Sequence, residues 1–141
     1  MQKTKIIGFY GYSDSGKTNV IESLCRDLSK KGLKVGVIKQ SDKSIRMDQP
    51  GKDTYRFQEA GAITTALVSQ DETDIITRKR LAVEQVIRMM QKVSELDLVI
   101  IESVKDEHFA KIRLGDIEER KNTIWTYDGN YKKLLNLIQN I

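Results

Sequence analysis

Within its first forty residues the chain changes period twice. Lys5–Tyr10 (KIIGFY) is a short apolar run bounded by glycine, as a buried strand would be. From Thr18 to Lys31 the apolar residues Val20, Ile21, Leu24, Cys25 and Leu28 recur at helical spacing, and Gly32 supplies the stop. Leu33–Lys39 (LKVGVIK) then reads as a second strand. Strand, glycine loop, helix and strand in so short a space form a βαβ unit, whose strands should be parallel and whose crossover should be right-handed. This restricts the fold to helices packed on an open, mainly parallel sheet.

The rest of the chain alternates in the same way. Residues 40–51 are polar, carry the only proline, Pro50, and form a loop of a length that usually has a function. Lys52–Ala60 is expected to be helical and to end at Gly61. Ile63–Ser69 and Asp74–Thr77 read as a β-hairpin around Gln70-Asp71-Glu72. Leu81–Val93 is expected to be a helix with Val83, Val86, Ile87, Met90 and Val93 on one face, and Met89 and Met90 read as packing residues. Leu96–Ile101 (LDLVII), the most apolar run, should be a central strand. Ala110–Leu114 and Thr123–Thr126 are further strands, and Tyr131–Ile138 is a closing helix. No repeat or linker divides the 141 residues, so one domain spanning 1–141 is expected.

Charge and cysteine usage narrow the possible roles. The 24 Lys and Arg against 20 Asp and Glu give a net +4, too small and dispersed to argue for nucleic acid but suited to an anionic ligand. The longest basic run, Arg78-Lys79-Arg80, reads as a solvated helix start. The single cysteine, Cys25, excludes an intrachain disulfide and reads as a packing residue. No signal-peptide pattern and no apolar run of about 20 residues is present. The expectation is a soluble cytoplasmic protein with neither nucleic acid nor membrane as partner.

Gly11-Tyr12-Ser13-Asp14-Ser15-Gly16-Lys17-Thr18 matches the phosphate-binding pattern G-x-x-x-x-G-K-[ST] in full, between the first strand and the first helix. The glycines let successive N–H groups turn inward toward phosphate oxygens. The helix that begins there, with Asn19 in its first turn, favours negative charge at its N-terminus. Lys17 would reach the β- and γ-phosphates, and the Thr18 hydroxyl would bind Mg²⁺. The plainer alternative is a glycine turn with a surface lysine. The fold class that follows is a three-layer P-loop NTPase-like α/β domain with a mainly parallel sheet plus a β-hairpin.

Such a loop needs an acidic partner for its magnesium, and Leu98-Val99-Ile100-Ile101-Glu102 ends an apolar strand on a glutamate. A carboxylate there would lie in the crevice where open α/β sheets bind ligands; otherwise it is an ordinary strand-end residue. Asp97, at the opposite end of that strand, reads as structural. Lys39 ends the second strand on the edge of the phosphate loop and can touch phosphate or simply reach water.

Four blocks taken in order resemble the molybdopterin-guanine dinucleotide biosynthesis protein B (MobB) family of P-loop GTP-binding proteins. They are GFYGYSDSGKTNVIESL (Gly8–Leu24), KKGLKVGVIKQ (Lys30–Gln40), MDQPGKDTYRFQEAGA (Met47–Ala62) and LDLVIIESVKDEHFAKIRL (Leu96–Leu114). The third is the most telling, since its run of aspartate, proline, glycine and lysine is not a general P-loop feature. The resemblance implies GTP and Mg²⁺ as cofactors, slow hydrolysis, a homodimer, and assistance to MobA, the guanylyltransferase that attaches GMP to molybdopterin. It implies phosphate contacts at Ser15, Gly16, Lys17 and Thr18, with Lys39 joining Lys17 at the reacting phosphates. It also makes Asp48 and Glu102 the carboxylates around the metal.

The chain departs from the family pattern at Gln40, where histidine is usual, at Ser103 in place of a glycine, and at Ala110 in place of a proline. The sole histidine, His108, reads as a solvated loop residue. No Asn-Lys-x-Asp sequence selects guanine. Asp128 could accept from guanine N1 and N2, but Asp128-Gly129 is also turn sequence, the simpler reading. No side chain reads as a strong general base, so fast hydrolysis would need a partner or a positioned water. A small-molecule kinase, with Arg78, Arg80 and Arg88 as lid arginines, and a nucleotide-regulated binding module are the alternatives.

Overall fold

The computed structural model describes residues 3–141. In chain order its elements are β1 (Lys5–Tyr10), α1 (Lys17–Lys30), β2 (Val35–Lys39), α2 (Asp53–Glu59), β3 (Thr64–Val68), β4 (Thr73–Thr77), α3 (Val83–Val93), β5 (Leu98–Glu102), β6 (Lys111–Leu114), β7 (Thr123–Tyr127) and α4 (Tyr131–Gln139). Every expected strand and helix is present, with ends shifted by one or two residues. The chain packs as two compact units: residues up to Ser41 together with Val86–Ile141, and Asp42–Gln85.

The first unit is built on a five-stranded sheet of order β2-β5-β1-β6-β7, parallel throughout. β5 inserts between the two strands of the initial βαβ unit. Its side chains from Leu98 to Ile101 are buried, the mark of a strand covered on both faces. On one face Ile7, Phe9, Leu98, Ile100, Ile112 and Leu114 pack against Ile21, Leu24 and Leu28 of α1 and Leu134 and Ile138 of α4. Cys25 joins this core as a partly buried packing residue, and burial pushes its thiol pKa up. On the other face Gly36 lies against Met90 and Leu96, and Ile87 of α3 is buried. Met89 and Val93 are exposed, so the apolar stripe of α3 is narrower than its spacing predicts.

In the second unit β3 and β4 form the expected antiparallel hairpin, in register from Thr64↔Thr77 to Val68↔Thr73. Buried Gln58 of α2 donates to Thr65 Oγ1 at 2.8 Å and accepts from Arg78 Nε at 2.7 Å. Arg78 also pairs with Glu59 at 2.9 Å. Arg78 thus ties α2 to the hairpin and does not begin a helix. Ile63, Val68 and Ile75 are exposed.

Candidate functional site

The loop between β1 and α1 is shaped by its glycines. A Cβ on Gly11 would stand 2.6 Å from Ser15 Oγ and 2.7 Å from the Leu114 carbonyl oxygen, so only glycine fits against the end of β6. Gly16 takes the left-handed conformation at φ 86° and lets the chain turn straight into α1. α1 has no side-chain cap and no acidic residue in its first turn, so its first N–H groups and its dipole are left to attract an anion.

Lys17 is only 8% exposed, and its Nζ donates to the Gly11 carbonyl at 3.0 Å and the Tyr12 carbonyl at 3.4 Å. The side chain therefore folds back over its own loop, with its charge at the cradle. Ser15 Oγ is buried within the loop without a hydrogen-bond partner. Tyr12, Ser13, Asp14, Thr18 and Asn19 are exposed around it. Inward-turned backbone, a buried ammonium and an orphaned hydroxyl donor fit a phosphate group.

Strand register brings two further residues to the same edge. Lys39 and Glu102 are direct partners across β2 and β5, and Glu102 is also the partner of Phe9, two residues before Gly11. Because side chains alternate along a strand, Glu102 shares the α1 face with Leu98 and Ile100. Lys39 shares it with Val35. Asp97 Oδ2 accepts from Lys34 N at 2.8 Å at the opposite edge, which bears out its structural reading.

Asp48 belongs to the second unit. Its Oδ1 accepts from Gln49 N at 3.1 Å, and its Oδ2 is buried without a partner. Asp128 is exposed after β7 and accepts from Asn130 N at 2.9 Å in an Asx turn. His108 is exposed, its Nδ1 2.7 Å from Asp106 Oδ1. Among the described residues no group of three or more His, Cys, Asp or Glu side chains converges as a metal cage. A nucleotide-bound Mg²⁺ draws most of its ligands from phosphate and water, so a hydroxyl and one or two carboxylates suit it.

A polar clasp behind β1 and β6 was not foreseen from the sequence. Lys111, fully buried, donates from Nζ to the Phe109 and Lys121 carbonyls, both at 2.8 Å. Burial lowers its pKa, with Asp106 opposing that effect. Arg120 lies over the Tyr10 ring at 4.7 Å and donates to the Val104 carbonyl at 2.9 Å. The Tyr10 hydroxyl accepts from Arg120 N and is 2.6 Å from Thr123 Oγ1. The available signal was a lysine and an arginine set within the β-like run AKIRL.

Comparison with known proteins agrees with this geometry. The family model for molybdopterin guanine dinucleotide synthesis protein B, MobB, matches residues 6–139. The molybdopterin-guanine dinucleotide biosynthesis adapter protein of Escherichia coli K12 is 33% identical over 112 residues, 77% of this chain and 64% of that protein. The adapter protein of the same description from Haemophilus influenzae is 33% identical over 118 residues, 82% of this chain and 66% of that protein. The match thus spans a little under two-thirds of these relatives' length. In fold, the chain is similar to the crystal structure of Bacillus subtilis MobB, with TM-score 0.79 at 22% identity, covering 96% of each chain. It is also similar to a MobB homologue from Bacillus stearothermophilus, with TM-score 0.68 at 18% identity, covering 96% of this chain and 99% of that one. With its family model matched from the first strand to the last helix, the chain belongs to the MobB family.

Proposed function

We propose that this protein binds GTP with Mg²⁺, hydrolyses it slowly, and serves as an adapter to a MobA-like guanylyltransferase in the attachment of GMP to molybdopterin. The observation that carries the reading is the loop of Gly11–Thr18, with Lys17 folded over it and Lys39 and Glu102 in register beside it. The description of the E. coli and H. influenzae relatives as adapter proteins supports the pathway role.

In this reading the loop N–H groups, Ser15 and Lys17 hold the β- and γ-phosphates, and Lys39 adds positive charge at the same edge. Thr18, Asp48 and Glu102 would hold Mg²⁺, which supplies charge neutralisation at the phosphate oxygens when bound. Asp128 is proposed at the guanine, through the carboxylate oxygen its turn leaves free. Lysines bring charge and orientation and do not take a proton from water, so slow turnover follows. The exposed Ile63, Val68 and Ile75 of the hairpin unit support a homodimer, in which a second copy covers them.

Calorimetry with GTP, GDP and ATP, with and without Mg²⁺, tests the reading. Lys17→Ala should weaken GTP binding by about 3 kcal/mol, more than a hundredfold, with the fold intact. Unchanged affinity would refute the phosphate site.

A further inference from the structure

Three buried side-chain oxygens among the described residues have no hydrogen-bond partner: Ser15 Oγ, Gln40 Oε1 and Asp48 Oδ2. The first two belong to the sheet unit, and both lie at the carboxyl edge of its strands. Buried polar atoms are nearly always bonded, and exceptions call for a specific reason. The reason at Ser15 is a phosphate, to which a hydroxyl can donate. The same reason fails at Gln40, because a carboxamide oxygen only accepts and phosphate oxygens are acceptors as well. Whatever satisfies Gln40 Oε1 must be a donor.

The backbone shows which donor is at hand. Gln40 N donates to the Glu102 carbonyl at 3.1 Å, extending the β2–β5 ladder one residue beyond Lys39. Gln40 is thus held beside the strand end that carries the acidic residue. A magnesium ion keeps several waters in its shell, and the ion polarises those waters into strong hydrogen-bond donors. We infer that Gln40 is a positioning residue of the cation site, its Oε1 accepting a hydrogen bond from a water of the Mg²⁺ shell. The inference rests on the Mg²⁺–GTP reading above and adds to it a residue that the phosphate-loop pattern does not contain.

The test is a Mg²⁺ titration of the whole chain with a fluorescent N-methylanthraniloyl GTP, alongside nucleotide binding in EDTA. Gln40→Leu keeps the side chain's size and removes the acceptor. It should raise the Mg²⁺ concentration for half-saturation about 10- to 100-fold, the usual cost of losing an outer-sphere partner, and leave affinity in EDTA unchanged. Gln40→Glu, which retains an acceptor, should keep the wild-type Mg²⁺ dependence or strengthen it. If Gln40→Leu fails to fold, Gln40→Asn, one methylene shorter, should show the same loss.

Wild-type protein whose nucleotide binding ignores Mg²⁺ would overturn the underlying reading, and this inference with it. Mg²⁺-dependent wild type with an unaltered Leu or Asn variant would overturn the inference alone. Equal weakening in EDTA and in Mg²⁺ would mark Gln40 as a packing residue and overturn it too.

Discussion

A methyl group added to Gly8 tests how firmly the segment after Glu102 is held. Gly8 lies in β1 between Ile101 of β5 and Lys111 of β6. Its Cβ would fall 2.1 Å from Val104 Cγ1, a contact no packing tolerates. Val104 is fully buried, and its carbonyl accepts from Arg120 at 2.9 Å, so it cannot step aside freely. Gly8→Ala should therefore cost about 2 kcal/mol, within the usual range for overpacking. Val104→Ala removes two buried methyls at about 0.8 kcal/mol each and leaves a cavity, for about 2–3 kcal/mol. Independent effects would sum to about 4–5 kcal/mol in the double variant. The geometry predicts otherwise. Without Cγ1, the nearest neighbours of the new methyl are Lys111 Cγ at 3.4 Å and Val104 Cβ at 3.5 Å, which are ordinary contacts. The methyl then fills part of the cavity, and the double variant should lose only about 1–2 kcal/mol. Urea unfolding of all four proteins at constant m-value measures this coupling. Additivity within about 0.5 kcal/mol would refute the packing argument.

Three other outcomes follow from single residues. Ser103 adopts φ 70°, a left-handed conformation costing a non-glycine residue about 1–2 kcal/mol, partly offset by the extra chain entropy of glycine. Ser103→Gly should stabilise by about 0.5 kcal/mol, and a lowered melting temperature would contradict this. The Tyr131 hydroxyl donates to Asp27 Oδ2 at 2.6 Å, and burial, with that bond and charge, pushes its pKa well above the phenol range. The bond's stabilisation is therefore complete below the unfolded phenol's value of about 10 and is lost as pH rises above it. Tyr131→Phe should cost about 1.5 kcal/mol at neutral pH and remove that part of the alkaline decline; a parallel pH–stability curve would count against the assignment. Ile75→Lys should convert a dimer to monomer in light scattering, and an unaltered mass would exclude the hairpin face from the dimer.

The parallel sheet was legible because its central strands are apolar on both faces and its first helix has a clean period. LDLVII announces β5, yet its place between β1 and β2 depends on long-range pairing that no local pattern encodes. The phosphate loop was legible because its glycines and lysine are required at fixed spacing. Arg78 was misread, since a basic run looks the same whether it faces water or, as here, holds Gln58 and Glu59. Gln40 was visible only as a departure from a family pattern. An unpaired acceptor is a property of three-dimensional surroundings, and sequence carries no trace of it.

The polar clasp gives the buried lysine a reason without giving it a reaction. One face of the sheet is covered by α1 and α4, whose backbones satisfy themselves. Behind β1 and β6 the irregular chain carrying Val104 and Arg120 covers the other face, bringing carbonyls that need donors away from water. Lys111 and Arg120 supply them, bonding the carbonyls of Phe109, Lys121 and Val104. A helix in that place would have needed no buried cation. The clasp also fixes the segment that follows Glu102: Ser103 N is bonded to the Phe9 carbonyl at 2.7 Å, and the next residue is held by Arg120. With Gln40 N on the carbonyl of Glu102, that glutamate has its backbone pinned on both sides. A carboxylate so placed moves little between nucleotide states, which suits a protein that presents a bound nucleotide better than one that switches on hydrolysis.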